Sequence, residues 1–252
     1  MKKILILLFS LCLLIGLMSV SVSAEEGMTV VYLEAGANGN GESENSPVGS
    51  LGKAVELLDK TQDCTIVVCG KFSQTGIFAY PEEFTGSITL TSVYGGIDYR
   101  NYGAEYECVG ARFVCSGEYI FKDIDIRLSG KYMFVIANHN PFTVDTGVNI
   151  ITENPATDGL GFGTAFGILG GYQSGQPELR GVKDPPPAED ETDINITVLS
   201  GSKICISAYS RQIDGAYYMG TANVTVGGDA EVGRLFLTPA AQPFSLLKIM
   251  PK

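Results

Sequence analysis

The sequence contains no tryptophan and a single histidine, His139. The first absence removes the aromatic side chain best suited to stacking on sugars, so any such contact falls to tyrosine. The second leaves one imidazole for proton transfer. Basic residues are scarce as well: 17 Lys and Arg face 28 Asp and Glu, for a net charge of -11. That balance excludes nucleic acid as a partner, because a phosphate backbone demands clustered cations. It also repels acidic polysaccharides. No C-x-x-C pair and no His beside a Cys is present, which leaves zinc without its usual ligand spacing.

Long apolar runs are missing too, except at the start. Met1-Lys2-Lys3 precedes an apolar run from Ile4 to Met18, followed by Ser19-Val20-Ser21-Val22-Ser23-Ala24. A cationic start, an apolar middle and a small-residue exit predict a signal peptide over residues 1–24, cut before Glu25. The run is shorter than the ~20 residues a membrane span requires. The mature chain is therefore expected to be secreted, at most associated with the cell surface, and without a transmembrane segment. Cleavage also removes Lys2 and Lys3, making the mature chain more acidic by two charges. The cysteines left are Cys64, Cys69, Cys108, Cys115 and Cys205. An odd number cannot all pair within one chain, and buried thiols are the expected state, with one disulfide as the other reading. Cys64 and Cys69 would face opposite sides of a continuous strand.

What is abundant is glycine, 31 residues, and short β-rich runs. Val30-Val31-Tyr32-Leu33 reads as a strand. After a polar loop, Ser50 stands before Leu51 to Lys60, in which Leu51, Ala54, Val55 and Leu58 share one helical face. Beyond this single helix come runs such as Thr65 to Cys69, Ser87 to Ser92, Ala111 to Cys115, Tyr119 to Leu128, Tyr132 to Ala137 and Ile194 to Leu199. Asn149-Ile150-Ile151-Thr152, Asn195-Ile196-Thr197-Val198 and Asn223-Val224-Thr225-Val226 repeat one local grammar. The expected fold is all-β, a right-handed parallel β-helix over residues 25–252 with a short N-terminal capping α-helix. Pro177, Pro185, Pro186 and Pro187 with Glu189, Asp190 and Glu191 mark a Pro/acidic loop insertion at about 173–192.

Thr89 through Ala104, Tyr119-Ile120-Phe121-Lys122-Asp123-Ile124-Asp125-Ile126, Phe134 to Asn138 with Phe142 to Val148, Thr192 to Gly201, and Val224 to Gly228 carry a resemblance. They resemble stretches of secreted, pectate-lyase-like β-helix surface proteins of anaerobic Gram-positive bacteria. The resemblance implies the fold over most of the mature chain and no particular activity, since that fold serves lyases, hydrolases and adhesins alike. Related surface proteins continue into wall-attachment modules, whereas this sequence reaches Met250-Pro251-Lys252 without one, which suggests a fragment.

Two groups of residues are candidates for function. Tyr94, Tyr99, Tyr102 and Tyr106 cluster with Asp98, Arg100 and Asn101 around Gly95, Gly96 and Gly103. Their rings and hydroxyls suit carbohydrate or a surface protein, with Tyr94, Tyr99, Arg100, Tyr102 and Tyr106 as ligand contacts. Asp123, Asp125 and Arg127 share the face opposite Ile124 and Ile126, and carboxylates at i and i+2 lie about 6.5–7 Å apart on a strand. Such a pair matches the separation in inverting glycosidases. The favoured function is a non-catalytic, adhesin-like binding module without a cofactor. The alternative is a polysaccharide lyase or glycoside hydrolase, and calcium enters only under the lyase alternative. His139, in Asn138-His139-Asn140-Pro141, is expected on a surface turn. Gly159 to Gly163 and Gly170-Gly171 are expected as coil turns, since no helix follows to present its N-terminus to a phosphate.

Overall fold

The computed structural model describes residues 27–129, 133–152, 166–171, 189–190, 193–208, 217–218, 221–236 and 245–249. The expected signal peptide, the Gly159–Gly163 stretch and most of the 173–192 insertion lie outside these residues. The first strands are β1 (Val30–Leu33), β2 (Cys64–Val68), β3 (Lys71–Ala79), β4 (Ser87–Thr91), β5 (Val93–Tyr94), β6 (Ile97–Asp98) and β7 (Glu105–Val114). Next come β8 (Glu118–Lys122), β9 (Asp125–Leu128), β10 (Met133–Ile136), β11 (Phe142–Val144), β12 (Asn149–Thr152), β13 (Phe166–Leu169) and β14 (Glu189–Asp190). The last are β15 (Ile194–Val198), β16 (Ile204–Ser207), β17 (Tyr217–Tyr218), β18 (Ala222–Val226), β19 (Val232–Phe236) and β20 (Ser245–Ile249).

Two eight-stranded sheets of parallel strands dominate. The first runs β1-β2-β4-β8-β11-β15-β18-β20, and the second β12-β9-β7-β10-β13-β16-β19 with β3 also paired to β7. The chain passes from one sheet to the other and back, stacking each new strand beside its predecessor. Such an all-β parallel arrangement is consistent with a solenoid.

Alternation builds the core directly. Val31, Ile66, Leu90, Phe121, Val144 and Val198 occupy one register column of the first sheet. Cys64, Ile88, Tyr119, Phe142, Ile196 and Val224 occupy the next inward column. All twelve are at most 2% exposed. Each inward side chain therefore packs on its counterpart in the strands above and below, about 4.8 Å away.

The one α-helix among the described residues, α1 (Leu51–Leu57), packs at β1, the outermost strand of the first sheet. Ser50 caps it, its hydroxyl accepting from the Lys53 N–H at 3.2 Å, and Leu51, Ala54 and Val55 are buried. It stops short of the expected Lys60. The Leu57 carbonyl accepts from Met28 N–H, and the Asp59 N–H donates to the Met28 carbonyl, so the backbone there serves a neighbouring segment instead of a further turn.

Two strands change phase where the side-chain pattern looks continuous. Tyr119 to Leu128 is two strands, because Asp123 turns the corner at φ +44°. Tyr119 and Phe121 point inward before it, and Ile124 and Ile126 after it. In β7, Tyr106 and Cys108 point inward, then Ala111 and Phe113, with Gly110 at φ +63° between. The first part of β7 pairs with β9 and the second with β10, so a single strand bends across two faces. A bulge has this effect. Among the described residues the cysteines are thiols outside any disulfide; Cys64, Cys108, Cys115 and Cys205 are buried, and no helix is long and apolar enough to cross a membrane.

Candidate functional site

Between β4 and β7 the chain leaves the stack and returns. Val93 pairs with Asp98 and Tyr94 with Ile97, antiparallel, closed by Gly95 and Gly96 at φ +60° and +82°. Two consecutive left-handed residues are what a tight two-residue hairpin requires, and glycine supplies them without strain. The Asp98 carboxylate then accepts from the Arg100 N–H at 3.1 Å, starting a turn of 3-10 helix over Tyr99–Tyr102 that ends at Gly103 with φ +89°.

This excursion lies back over the outer side of the first sheet. Tyr99 and Ala104 cluster with Val67, against Val30, Tyr32 and Cys69. The Tyr32 ring meets Tyr94 and Tyr99 edge-on, at centroid distances of 6.2 and 6.4 Å. Tyr99 is only 6% exposed, whereas Tyr94 is 38% and Tyr102 80% exposed. Ile97, at the hairpin tip beside Tyr94, is also exposed.

Four expected ligand tyrosines therefore separate into two kinds. Tyr94 and Tyr102 present rings to solvent. Tyr99 is a packing residue, because the turn folds its ring onto Val67. Tyr106 belongs to β7 rather than the loop and is wholly buried; its hydroxyl donates to Gln74, whose amide donates to the Arg112 carbonyl at 2.9 Å. Neither Tyr99 nor Tyr106 can meet a ligand on the surface. Tyr32 and Ile97 belong to the patch and were not singled out from sequence, although alternation already places Tyr32 opposite Val31 and Leu33.

Arg100 is a clamp. Its guanidinium donates to both Asp98 oxygens, at 2.8 and 2.7 Å, and to the Gly147 carbonyl at 3.0 Å. Gly147 lies on the corner before β12, so the clamp ties the excursion to a later coil. The pair with Arg100 holds the Asp98 carboxyl below its ordinary range. The same guanidinium feels Asp125 and Asp123. The tyrosine loop and the aspartate pair, unrelated in sequence, thus meet at one corner.

The aspartates do not form the pair expected on a strand. Asp123 sits at the corner, where its N–H donates to Thr146 and its carbonyl accepts from Ser92. Asp125 and Arg127 remain on the outer side of β9, and Arg127 pairs with Glu105 at 2.7 Å. Glu107, one position further along that face, is held below the ordinary range by hydrogen bonds from Ser129 and Ser73. Carboxylates tuned in this direction are acceptors and ion-pair partners, whereas a general acid needs a raised pKa. His139 is 5% exposed rather than on the surface, since Asn138 and His139 take left-handed conformations at a corner whose His139 N–H donates to Gly170. Gly170 is a coil corner, donating in turn to Ser207.

The buried phenols and thiols set a pH dependence. Burial pushes Tyr99 up to about 12 and Cys69 up to about 11, and raises Tyr32, Tyr106, Tyr119 and Cys115. Above about pH 9 for thiols and 10 for phenols the unfolded chain releases protons that the folded chain keeps, so alkali favours unfolding. Stability is expected to be level below about pH 8 and lower by several kcal/mol at pH 11, on the order of 1–2 kcal/mol for each such group. Urea midpoints at pH 8, 10 and 11 measure this, and an unchanged midpoint at pH 11 would contradict it.

Comparison with family models, with curated proteins and with solved structures gives no match for this chain.

Proposed function

We propose that the chain is a right-handed parallel β-helix that works outside the cell as a non-catalytic, adhesin-like binding module for carbohydrate or a surface protein. The paired columns of inward residues across eight parallel strands support the solenoid. Right-handed crossover is the norm for parallel connections. The observation that carries the binding reading is Tyr102, 80% exposed on a loop fastened by the Asp98–Arg100 clamp. Exposing a large ring has no benefit to the core, and holding it rigidly lowers the entropy lost when it meets a partner.

Replacing Tyr102 by alanine should lower binding to glycans or cells about tenfold, and Tyr94→Ala should add to the loss. Tyr102→Ala should leave the thermal transition unchanged, because its ring packs on little. Screening chain 25–252 against glycan and cell-surface panels, followed by titration of the best ligand, reads both effects. Wild-type binding that survives the double substitution would defeat the loop assignment. Release of cleaved polysaccharide that disappears with Asp125→Asn would replace the binding reading with the lyase or hydrolase alternative.

A further inference from the structure

The outer side of the first sheet holds a second regularity. Thr65, Thr89, Ile120, Thr143, Thr197 and Thr225 form one outward column in unbroken register. Each is half-buried, as expected of small side chains on an open sheet face. Register shifts do occur in this molecule, but in the other sheet, at β3–β7 and β16–β19. Asn195 and Asn223 stand two residues before Thr197 and Thr225, and the Asn223 amide donates to the Asn195 side-chain oxygen at 3.0 Å.

Threonine is a good strand former, and that accounts for any one of these positions. It does not account for the lack of charge. The neighbouring outward column carries Lys122 and Asp145 as an ion pair. The outer side of β3, β7 and β9 carries Lys71, Glu105, Glu107, Asp125 and Arg127. From Val30 through Thr65 to Thr225 this column carries none, and Lys248, next in register on β20, ends it. A hydroxyl that both donates and accepts, beside a methyl group, thus recurs at strand spacing, about 4.8 Å, at Thr65–Thr89 and at Thr143–Thr197–Thr225, with the apolar Ile120 between the two groups. That spacing is on the scale of one sugar residue in an extended chain. The hairpin begins just past β4, with Thr91 buried beneath it and bonded to Val93. The Tyr94 ring meets Tyr32, the next outward residue after Val30, which pairs with Thr65, so the excursion that also carries Tyr102 leaves the sheet beside the Thr65–Thr89 end of the column.

We propose that this column is a track for an extended, uncharged polysaccharide lying along the stacking direction, with Tyr94 and Tyr102 gripping it at one end. The proposal rests on the binding reading above and names its ligand class. Single hydroxyl contacts are weak, but five of the six column positions from Thr65 to Thr225 offer the same group, so affinity grows with ligand length. With no cation between Thr65 and Thr225, Lys248 at the far end alone, and a net charge of -11, a polymer of uronic acids is disfavoured.

The test is titration of the mature chain with neutral β-1,4-linked gluco- and manno-oligosaccharides of two to eight sugars, and with an oligouronate of equal length. Affinity should rise at least tenfold between the shortest and longest neutral ligand, with weaker binding of the oligouronate. The triple variant Thr143→Val, Thr197→Val, Thr225→Val keeps side-chain shape and strand preference. It should lose at least tenfold in affinity for the longest ligand while unfolding at the wild-type temperature or above. Binding lost with Tyr102→Ala but retained by the triple variant would overturn the track and leave the loop assignment standing. Tighter binding of the oligouronate, or no dependence on length, would overturn the track as well.

Discussion

Replacing Phe121 by alanine is expected to destabilise the protein by about 3–5 kcal/mol, measured by urea or thermal unfolding. Phe121 is fully buried and sits in mid-column between Leu90 and Val144. Its ring meets Phe142 at 5.3 Å and Phe113 at 5.6 Å, and Tyr106 and Phe166 at 6.3 Å. These partners come from β11, β7 and β13, so the ring ties both sheets and several consecutive coils to one point. Strands cannot close on the void, because their spacing is set by backbone hydrogen bonds on either side. Where each coil is stabilised by its neighbours, the loss spreads along the stack. Against a typical total of about 5–15 kcal/mol, this change removes a large fraction of the stability. A loss below about 1 kcal/mol would mean that Phe121 does not occupy the core as described.

The second large effect is at Gly228. Its φ is +60°, and a Cβ added there would lie 2.1 Å from the Leu199 carbonyl oxygen. This corner is stacked tightly on the previous one: Gly227 N–H donates to Val198 and Asp229 N–H to Leu199. Gly228→Ala should therefore cost both the left-handed strain and a backbone displacement, together on the order of 3 kcal/mol. Gly36 is the internal control. It has φ +76° but nothing within 4 Å of an added Cβ, so Gly36→Ala should cost only about 1 kcal/mol. Equal losses at the two sites would show that the stacked corner adds nothing. The Gly227-Gly228-Asp229 run, which by itself resembles a fragment of a calcium-binding repeat, thus has a packing reason for its glycines.

Much of the architecture was legible in the sequence. The strand Val30–Leu33, the Ser50 cap and the buried face of Leu51, Ala54, Val55 and Leu58 follow from local pattern alone. The repeated Asn-x-Thr runs of β15 and β18 do pair in register. These features depend on neighbours three or four residues away, which is the range over which side-chain periodicity carries information.

What the tertiary structure alone decided lies at the corners. A left-handed residue at Asp123 reverses the inward phase of the chain, so Ile120 faces outward although it matches Ile124 in parity. The same reversal at Gly110 hides the first half of β7, and with it Tyr106, from a reading that begins the strand at Ala111. Composition marked the tyrosines around Gly95, Gly96 and Gly103 as a loop, but not that Tyr99 would fold onto Val67 while Tyr102 stayed in water. Nor could it bring Arg100 to Gly147. Alternation within a strand is a local property of the chain, whereas the side on which the next strand begins depends on a corner angle fixed by contacts with the neighbouring coil.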